Sequence, residues 1–275
     1  GATILLMPSL YKQVLSELGV DLEKDLETTS LAPIYKLFFG DGSHFSFMQD
    51  EEQMRRQLEA FEPGSFPKYK AYVEEGYEYF NLAMNGLLGK NFDHLFEFVN
   101  LKSIRLLLKL KTYRNHSGYV REYFDDPRLQ KAFTFQNIYV GQNPYEAPAF
   151  FSMLPGAEIA EGALFPKGGM HRIIQTLVDL ADKNGVQIFC KKPVEKIILN
   201  GKKAEGILLE DGTIVHADLV IASADLPYVY DKLLRDKRKT RSLKKKEYSC
   251  SAIVFHWAVD KVYEQLDHHS VFLND

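Results

Sequence analysis

An α+β fold is what this sequence predicts, and three observations predict it. Apolar residues recur at helical spacing from Asp50 to about Leu110. Two aromatic, β-prone runs flank Gly40-Asp41-Gly42, which reads as a hairpin because Asp-Gly readily adopts the positive φ of a tight turn. Between Val194 and His216, three short β-prone runs are joined by Asn200-Gly201 and Asp211-Gly212, the pattern of an antiparallel meander. The first feature implies a helix-rich domain with a small sheet, and the last a separate β-bearing segment.

The elements follow in order. Pro8 and Ser9 lead into a short amphipathic helix with Leu10, Val14, Leu15 and Leu18 on one side and Gly19 as its stop. The helical stretch after Asp50 is broken near Pro63-Gly64 and around Gly89. Asp126-Pro127 starts another helix, since proline is tolerated in a first turn. Gly141 and Pro144 interrupt it, and Pro148 precedes a further apolar helical run. Gln142 and Asn143 are read as turn formers, with polar points in an apolar cavity as the functional alternative.

Gly168-Gly169 precede a helix expected to bury Ile173, Ile174, Leu177, Val178 and Ala181, with Asn184-Gly185 as its left-handed cap. Val186–Phe189 is expected to be a short strand before the meander strands Val194–Leu199, Ala204–Leu209 and Thr213–His216. The run DLVIASAD after it is apolar throughout, as expected for a strand covered on both faces. Pro227 opens a last short helix. Lys232 to Glu247 is dominated by Lys and Arg and reads as a solvated connector, with a phosphate or lipid-headgroup patch as the functional alternative. CSAIVFHWAVD is expected to be one more buried strand.

Composition narrows the function. The 275 residues are enough for one to three domains, and a net charge of −3 gives nucleic-acid binding no electrostatic support. Phe and Tyr are abundant, at 19 and 15, against a single Trp, so large apolar area is available for a core or a ligand tunnel. Cys190 and Cys250 lie in strand-like runs without metal-ligand spacing; small buried hydrophobes in a reducing compartment are expected. His256, His268 and His269 have no ligand partner at suitable spacing, so no metal is expected. No run approaches the length of a membrane span, and GATILLMPSLY lacks the features of a signal peptide and reads like the inside of a longer protein. The stretch Phe98–Arg114 mixes Leu and Phe with Lys102, Arg105, Lys109, Lys111 and Arg114. Such a basic amphipathic helix can lie on an anionic membrane, or it can be a half-buried helix whose lysines face water.

Several phrases stand together in a specific order: IYKLFFGDGSHF, YFDDPRLQKAFTFQNIYVGQNPYEAPAFFSML, EGALFPKGGMHRIIQTLVDLADKNGVQI, VEKIILNGKKAEGILLEDG and ADLVIASADLPYVYDKLL. In that order and spacing the chain resembles the FAD-dependent phytoene desaturases of bacteria and fungi, the carotenoid oxidoreductase family. The resemblance implies an incomplete α/β flavoprotein of the amine-oxidase type. Residues 1–157 would be the first part of a substrate and membrane-facing domain, 158–235 part of an FAD-binding domain, and 236–275 a return to the substrate domain. It also implies that the chain is an internal fragment, since no G-x-G-x-x-G turn occurs in it.

The function so implied is removal of hydrogens from a long apolar polyene with hydride passed to flavin, in a cytoplasmic, peripherally membrane-associated enzyme. The alternatives are a carotenoid isomerase or saturase, another lipid flavin oxidase, or an isolated apolar-ligand or membrane-docking module without catalysis. Val194 matches the valine whose backbone groups hold the adenine in such flavoproteins. Arg114 is a candidate polar residue at the substrate cavity. This chain alone is expected to be inactive and not to bind FAD tightly.

Overall fold

A β-prone run becomes a strand only where another strand meets its backbone donors and acceptors, and that requirement sorts this chain. The computed structural model describes residues 3–88, 90–92 and 94–274. In chain order the elements begin with β1 (Leu5–Leu6), α1 (Pro8–Glu17), β2 (Thr28–Ser30), β3 (Tyr35–Phe39), β4 (His44–Phe47), α2 (Glu51–Phe61) and α3 (Ser65–Ala83), which passes into a π-helical turn at Met84–Leu88. They continue with α4 (Leu95–Phe98), α5 (Leu101–Lys109), α6 (His116–Val120), α7 (Pro127–Ala132), 3-10 turns at Phe135–Val140 and Ala149–Ser152, α8 (Met153–Glu161), β5 (Ala163–Pro166) and α9 (His171–Lys183). Last come β6 (Val194–Asn200), β7 (Lys203–Leu209), β8 (Ile214–His216), α10 (Leu226–Tyr228), a π-helical turn at Val229–Leu233, α11 (Lys237–Leu243) and β9 (Ser270–Leu273). The chain divides into a first unit, Gly1–Val178 with Ser249–Asp275, and a second, Asp179–Tyr248.

The first unit holds two small sheets. One has the order β1-β5-β2, all antiparallel; the other has the order β4-β3-β9, with β9 parallel to β3. The expected hairpin is the β3–β4 pair, but its turn differs in detail. Only Gly42 has a positive φ, of 84°, and its N–H donates to the Phe39 carbonyl. That is a turn closed by a left-handed glycine rather than one with positive φ at both central residues. Helix starts follow the sequence signals: Asp50, Asn100, Asn115 and Asp126 each accept a backbone N–H from the first turn of α2, α5, α6 and α7. Gly64, at φ 82°, breaks α2 from α3 as expected, whereas the break near Gly89 lies outside the described residues.

The core of this unit is aromatic. Phe45, Phe47, Tyr72, Phe124 and Phe133 are fully buried, and Phe133 stacks on Phe124 at 4.6 Å while meeting Phe47 and Tyr72 edge-on. α3 and α8 cross almost backbone to backbone. A Cβ on Gly76 would stand 2.5 Å from the Ser152 carbonyl oxygen, and one on Gly156 would stand 2.6 Å from Gly76 carbonyl carbon. Only two glycines permit this approach.

The second unit is the β6-β7-β8 meander with α10, the π-helical turn and α11. Its turns use Gly201 and Gly212 at φ 61° and 84°, as the sequence implies. Its buried apolar side chains are few: Leu209, Val229, Leu233 and Leu243.

Several expectations need correction. Val186–Phe189, DLVIASAD and CSAIVFHWAVD are not strands, because no strand among the described residues pairs with them. Most of their apolar side chains are exposed, Ile221 to 83% and Trp257 to 82%. Cys190 and Cys250, which ride on these runs, are therefore exposed free thiols rather than buried hydrophobes. α9 forms with its Gly185 cap, yet none of its residues is buried, because nothing described covers the Ile174, Leu177 and Val178 face. On α1 only Leu15 is buried, while Val14 and Leu18 face solvent. The basic connector contains a helix, α11, started by Asp236, whose carboxylate accepts from the N–H groups of Arg238 and Lys239.

Candidate functional site

The polar chemistry of the first unit converges on two clusters. The deeper one hangs from the Phe135–Val140 turn, which places Gln136 and Asn137 side by side and fully buried. Tyr35 on β3 donates to Glu158 Oε2 on α8, and the Gln136 amide donates to the Tyr35 hydroxyl at 3.0 Å. Burial pushes the Glu158 carboxyl up to about 8, so at neutral pH it is largely an uncharged acid. Burial and the neighbouring Glu158 likewise raise Tyr35 well above its ordinary range.

Asn137 leads into the second branch. Its Oδ1 lies 3.1 Å from His116 Nδ1, and His116 Nε2 lies 2.9 Å from the Tyr72 hydroxyl, which donates to the Phe133 carbonyl at 3.0 Å. Burial lowers His116 to about 4, so the ring is neutral. Glu158 Oε1, Gln136 Oε1 and Asn137 Nδ2 are buried without a protein partner. Directly after this pair, Ile138, Tyr139 and Val140 turn outward, and Tyr145 is exposed nearby in sequence. A neutral, fixed polar floor thus sits under an outward apolar patch.

The second cluster surrounds Glu75 on α3. Tyr79 donates to its Oε1 at 2.6 Å, Lys111 at 2.7 Å, Tyr123 to its Oε2 at 2.5 Å, and Tyr119 also to Oε2. These bonds overcome desolvation and hold the carboxyl down to about 2, so Glu75 stays ionised. The Tyr72 ring touches the Tyr119 and Tyr123 rings at 6.0 and 5.2 Å, which joins the two clusters through packing.

Arg114 borders this cage. Its guanidinium grips Glu122 through both oxygens, at 2.9 and 2.5 Å, and lies over the Tyr119 ring at 5.7 Å. Its carbonyl accepts from Ala149, and the neighbouring His116 N–H donates to Ala147, so Arg114–His116 is laced to Ala147–Ala149. Asn143 takes the turn-forming role: its Oδ1 accepts the Tyr145 N–H at 3.0 Å.

Val194 is the first residue of β6, paired with Leu209 and half-buried. Gly168 and Gly169, at φ 86° and 91°, have no atom within 4 Å of where a Cβ would stand. No described element supplies a pyrophosphate cradle. His268 and His269 are ring neighbours at 4.7 Å, and among the described residues no group of metal-ligating side chains forms.

On α5 the apolar residues Leu101, Ile104 and Leu108 share a face and are exposed, while Lys102 and Arg105 are exposed beside them. Lys109 reaches back to Glu78 at 2.6 Å. A cavity of about 580 Å³ lies between α5 and the Met84–Leu88 turn, lined by Asn85, Gly86, Lys90, Lys102 and Leu106 among others.

The clusters of Glu75 and Glu158 escaped the sequence reading. Their members lie on elements far apart in the chain, and no spacing rule links Tyr35 to Gln136 and Glu158. The one available signal was the run of polar residues in FTFQNIYV, inside an otherwise apolar stretch.

The profile of the family described as flavin containing amine oxidoreductase matches residues 1–272. A zeta-carotene-forming phytoene desaturase of Myxococcus xanthus is 35% identical over 272 residues, covering 98% of this chain and 53% of that protein. A phytoene desaturase of Neurospora crassa is 33% identical, covering 99% of this chain and 48% of that protein. The chain thus spans about half the length of these curated relatives. Among solved structures, an oxidoreductase from Methanosarcina mazei superposes with a TM-score of 0.53 at 16% identity, over 89% of this chain and 52% of that one.

Proposed function

Because the chain belongs to the flavin containing amine oxidoreductase family, we propose that it is part of an FAD-dependent desaturase acting on a phytoene-like polyene. The observation that carries this reading is the similarity to phytoene desaturases over nearly the whole chain, 98% of it in one case. The isomerase, saturase and lipid-oxidase alternatives gain no support from either polar cluster.

When bound, the flavin supplies the two-electron chemistry, and the polypeptide supplies orientation and a dry site. In this reading the outward patch of Ile138, Tyr139 and Val140 forms part of the apolar wall. Apolar burial of the hydrocarbon, at about 25 cal/mol per Å², provides its affinity. The neutral Glu158–Tyr35–Gln136 floor keeps full charges away from that wall. Arg114 acts as a positioning residue, bracing His116 and the 147–149 segment through Glu122. Val194 serves the adenine side of the cofactor through its backbone groups. The chain by itself does not complete the flavin site.

Peripheral membrane docking through α5 is part of the proposal. The exposed Leu101, Ile104 and Leu108 beside Lys102 and Arg105 support it, as does the expectation that a hydrocarbon substrate resides in the bilayer. Among the described residues no helix is long and apolar enough to cross a membrane.

The test is product analysis of the full-length parent protein with phytoene. Absorption bands of a longer conjugated polyene are expected; unchanged phytoene with bound flavin would remove the desaturase assignment. The purified chain alone should show no stoichiometric flavin absorption. The triple variant Leu101→Ser/Ile104→Ser/Leu108→Ser should lose sedimentation with phosphatidylcholine vesicles if α5 docks.

A further inference from the structure

The second unit carries a feature that neither the desaturase reading nor α5 explains. Between Arg235 and Glu247 the chain places eight basic residues against two acidic ones, in a protein of net charge −3. A solvated surface ordinarily intersperses both signs. Here Arg235 pairs with Glu195 at 3.1 Å and Lys239 lies over the Tyr230 ring at 5.9 Å. Lys237, Arg238, Arg241, Lys244, Lys245 and Lys246 are exposed and make no ion pair among the described residues. Asp236, the nearest acid, is occupied by the backbone N–H groups that start α11.

The cations border a shaped surface. A cavity of about 390 Å³ is lined by Asp231, Arg235, Lys237, Thr240, Arg241 and Lys244. A second cavity, of about 190 Å³, shares Asp231, Thr240 and Lys244 with it and is otherwise walled by Pro227, Tyr228, Lys232 and Leu243. A cationic hollow therefore opens directly onto an apolar shelf. The single acid common to both, Asp231, lies 3.4 Å from Lys232, which offsets its charge. Tyr228 of this shelf is exposed, as are Leu226, next to Pro227 in the chain, and Tyr248, whose hydroxyl donates to the Leu243 carbonyl at 2.9 Å.

We propose that this face of α10, the Val229–Leu233 turn and α11 is a headgroup site for anionic phospholipid at a membrane surface. The lipid phosphate sits among Lys237, Thr240, Arg241 and Lys244, and the glycerol and upper acyl segment lie on Pro227, Tyr228 and Leu243. Clustered Lys and Arg near a membrane draw anionic lipid to the surface. The apolar shelf and exposed tyrosines favour a bilayer interface over nucleic acid, which offers no acyl region for them. This inference goes beyond docking through α5: it assigns lipid-charge selectivity to a different surface and does not require α5 to bind.

The experiment is vesicle co-sedimentation of the full chain with phosphatidylcholine alone and with phosphatidylglycerol mixed in. Parent chain, the α5 serine variant and the triple variant Lys237→Glu/Arg241→Glu/Lys244→Glu are compared. Phosphatidylglycerol should strengthen binding of the parent, and the charge-reversal variant should lose about a hundredfold of that binding while keeping its phosphatidylcholine binding and its circular dichroism spectrum. The α5 variant should keep its preference for phosphatidylglycerol. Equal binding of parent and charge-reversal variant to anionic vesicles overturns the headgroup site and leaves docking through α5 standing. Parent binding to anionic vesicles that survives the α5 substitutions undiminished sinks α5 docking and leaves the headgroup site standing. Release from vesicles by inorganic phosphate beyond that caused by chloride at the same ionic strength would reassign the hollow to a soluble anion. Retention of a labelled oligonucleotide without any phosphatidylglycerol preference would reassign it to nucleic acid. Either result overturns the proposal.

Discussion

The core around Phe133 and the three apolar runs at Val186–Phe189, Asp218–Asp225 and Cys250–Asp260 are all rich in apolar residues and meet opposite fates. In the first, aromatic side chains from β3, β4, α3, α6 and the residues on either side of α7 find one another and are buried. In the second, Phe189, Ile221 and Trp257 remain in water because their backbones have no neighbouring strand among the described residues. Side-chain burial in a helix-rich layer needs only faces that meet. A buried strand needs a hydrogen-bonded neighbour as well, and sequence hydrophobicity reports nothing about whether that neighbour exists.

The sharpest way to break this contrast is at the helix crossing that the core depends on. Gly156→Ala should destabilise the first unit by about 3 kcal/mol, because the new methyl meets backbone atoms of Gly76 and Tyr77 that cannot rotate away. Urea unfolding followed by near-ultraviolet circular dichroism of the tyrosines measures it. A midpoint unchanged from the parent would mean that α3 and α8 do not cross as closely as described.

Next in size come the two carboxylates, which should give the first unit opposite pH dependences. Glu75 is held down to about 2 from 4.5, so its stabilisation is present above pH 4.5 and is lost as pH falls toward 2. Glu158 is raised to about 8 from 4.5, so its stabilisation is complete below pH 4.5 and is lost as pH rises through 8. Glu75→Gln should cost about 2 kcal/mol near neutrality, since Lys111 loses its counter-ion and three tyrosine hydroxyls lose their charged acceptor. Glu158→Gln should cost only about 1 kcal/mol at pH 6, yet make the protein more stable than the parent at pH 9. Urea midpoints across pH 4 to 9 would show a flattened alkaline limb in that variant. An unaltered limb would place the alkaline sensitivity elsewhere.

How much of this was legible in the sequence follows the same division. Local signals were read correctly where the physics is local: Asp126 capping α7, Gly64 and Gly185 at helix ends, and the meander turns at Gly201 and Gly212. The family resemblance rested on ordered phrases and extends over nearly the whole chain. What the sequence did not disclose depends on distant partners. Spacing could not say that Glu158 would meet Tyr35, or that Glu75 would gather Tyr79, Tyr119 and Tyr123. It could not say that Cys190 and Cys250 would lie on runs left uncovered. For Arg114 a cavity position was expected, and the structure shows the pair with Glu122.

The smallest expected effect tests the other side of the contrast. Ile221→Thr and Phe255→Ser should each change stability by no more than about 0.5 kcal/mol, since both side chains lie mostly in water. Both should lower dye binding to exposed apolar surface and slow aggregation. The protein's one tryptophan, Trp257, lies in the last of these runs, so its fluorescence reports the run alone. It should emit as a water-exposed indole and be quenched by iodide as readily as free tryptophanamide. A blue-shifted, protected emission would show that Cys250–Asp260 is covered after all, and the distinction between the packed core and the unpaired runs would then fail at its most exposed point.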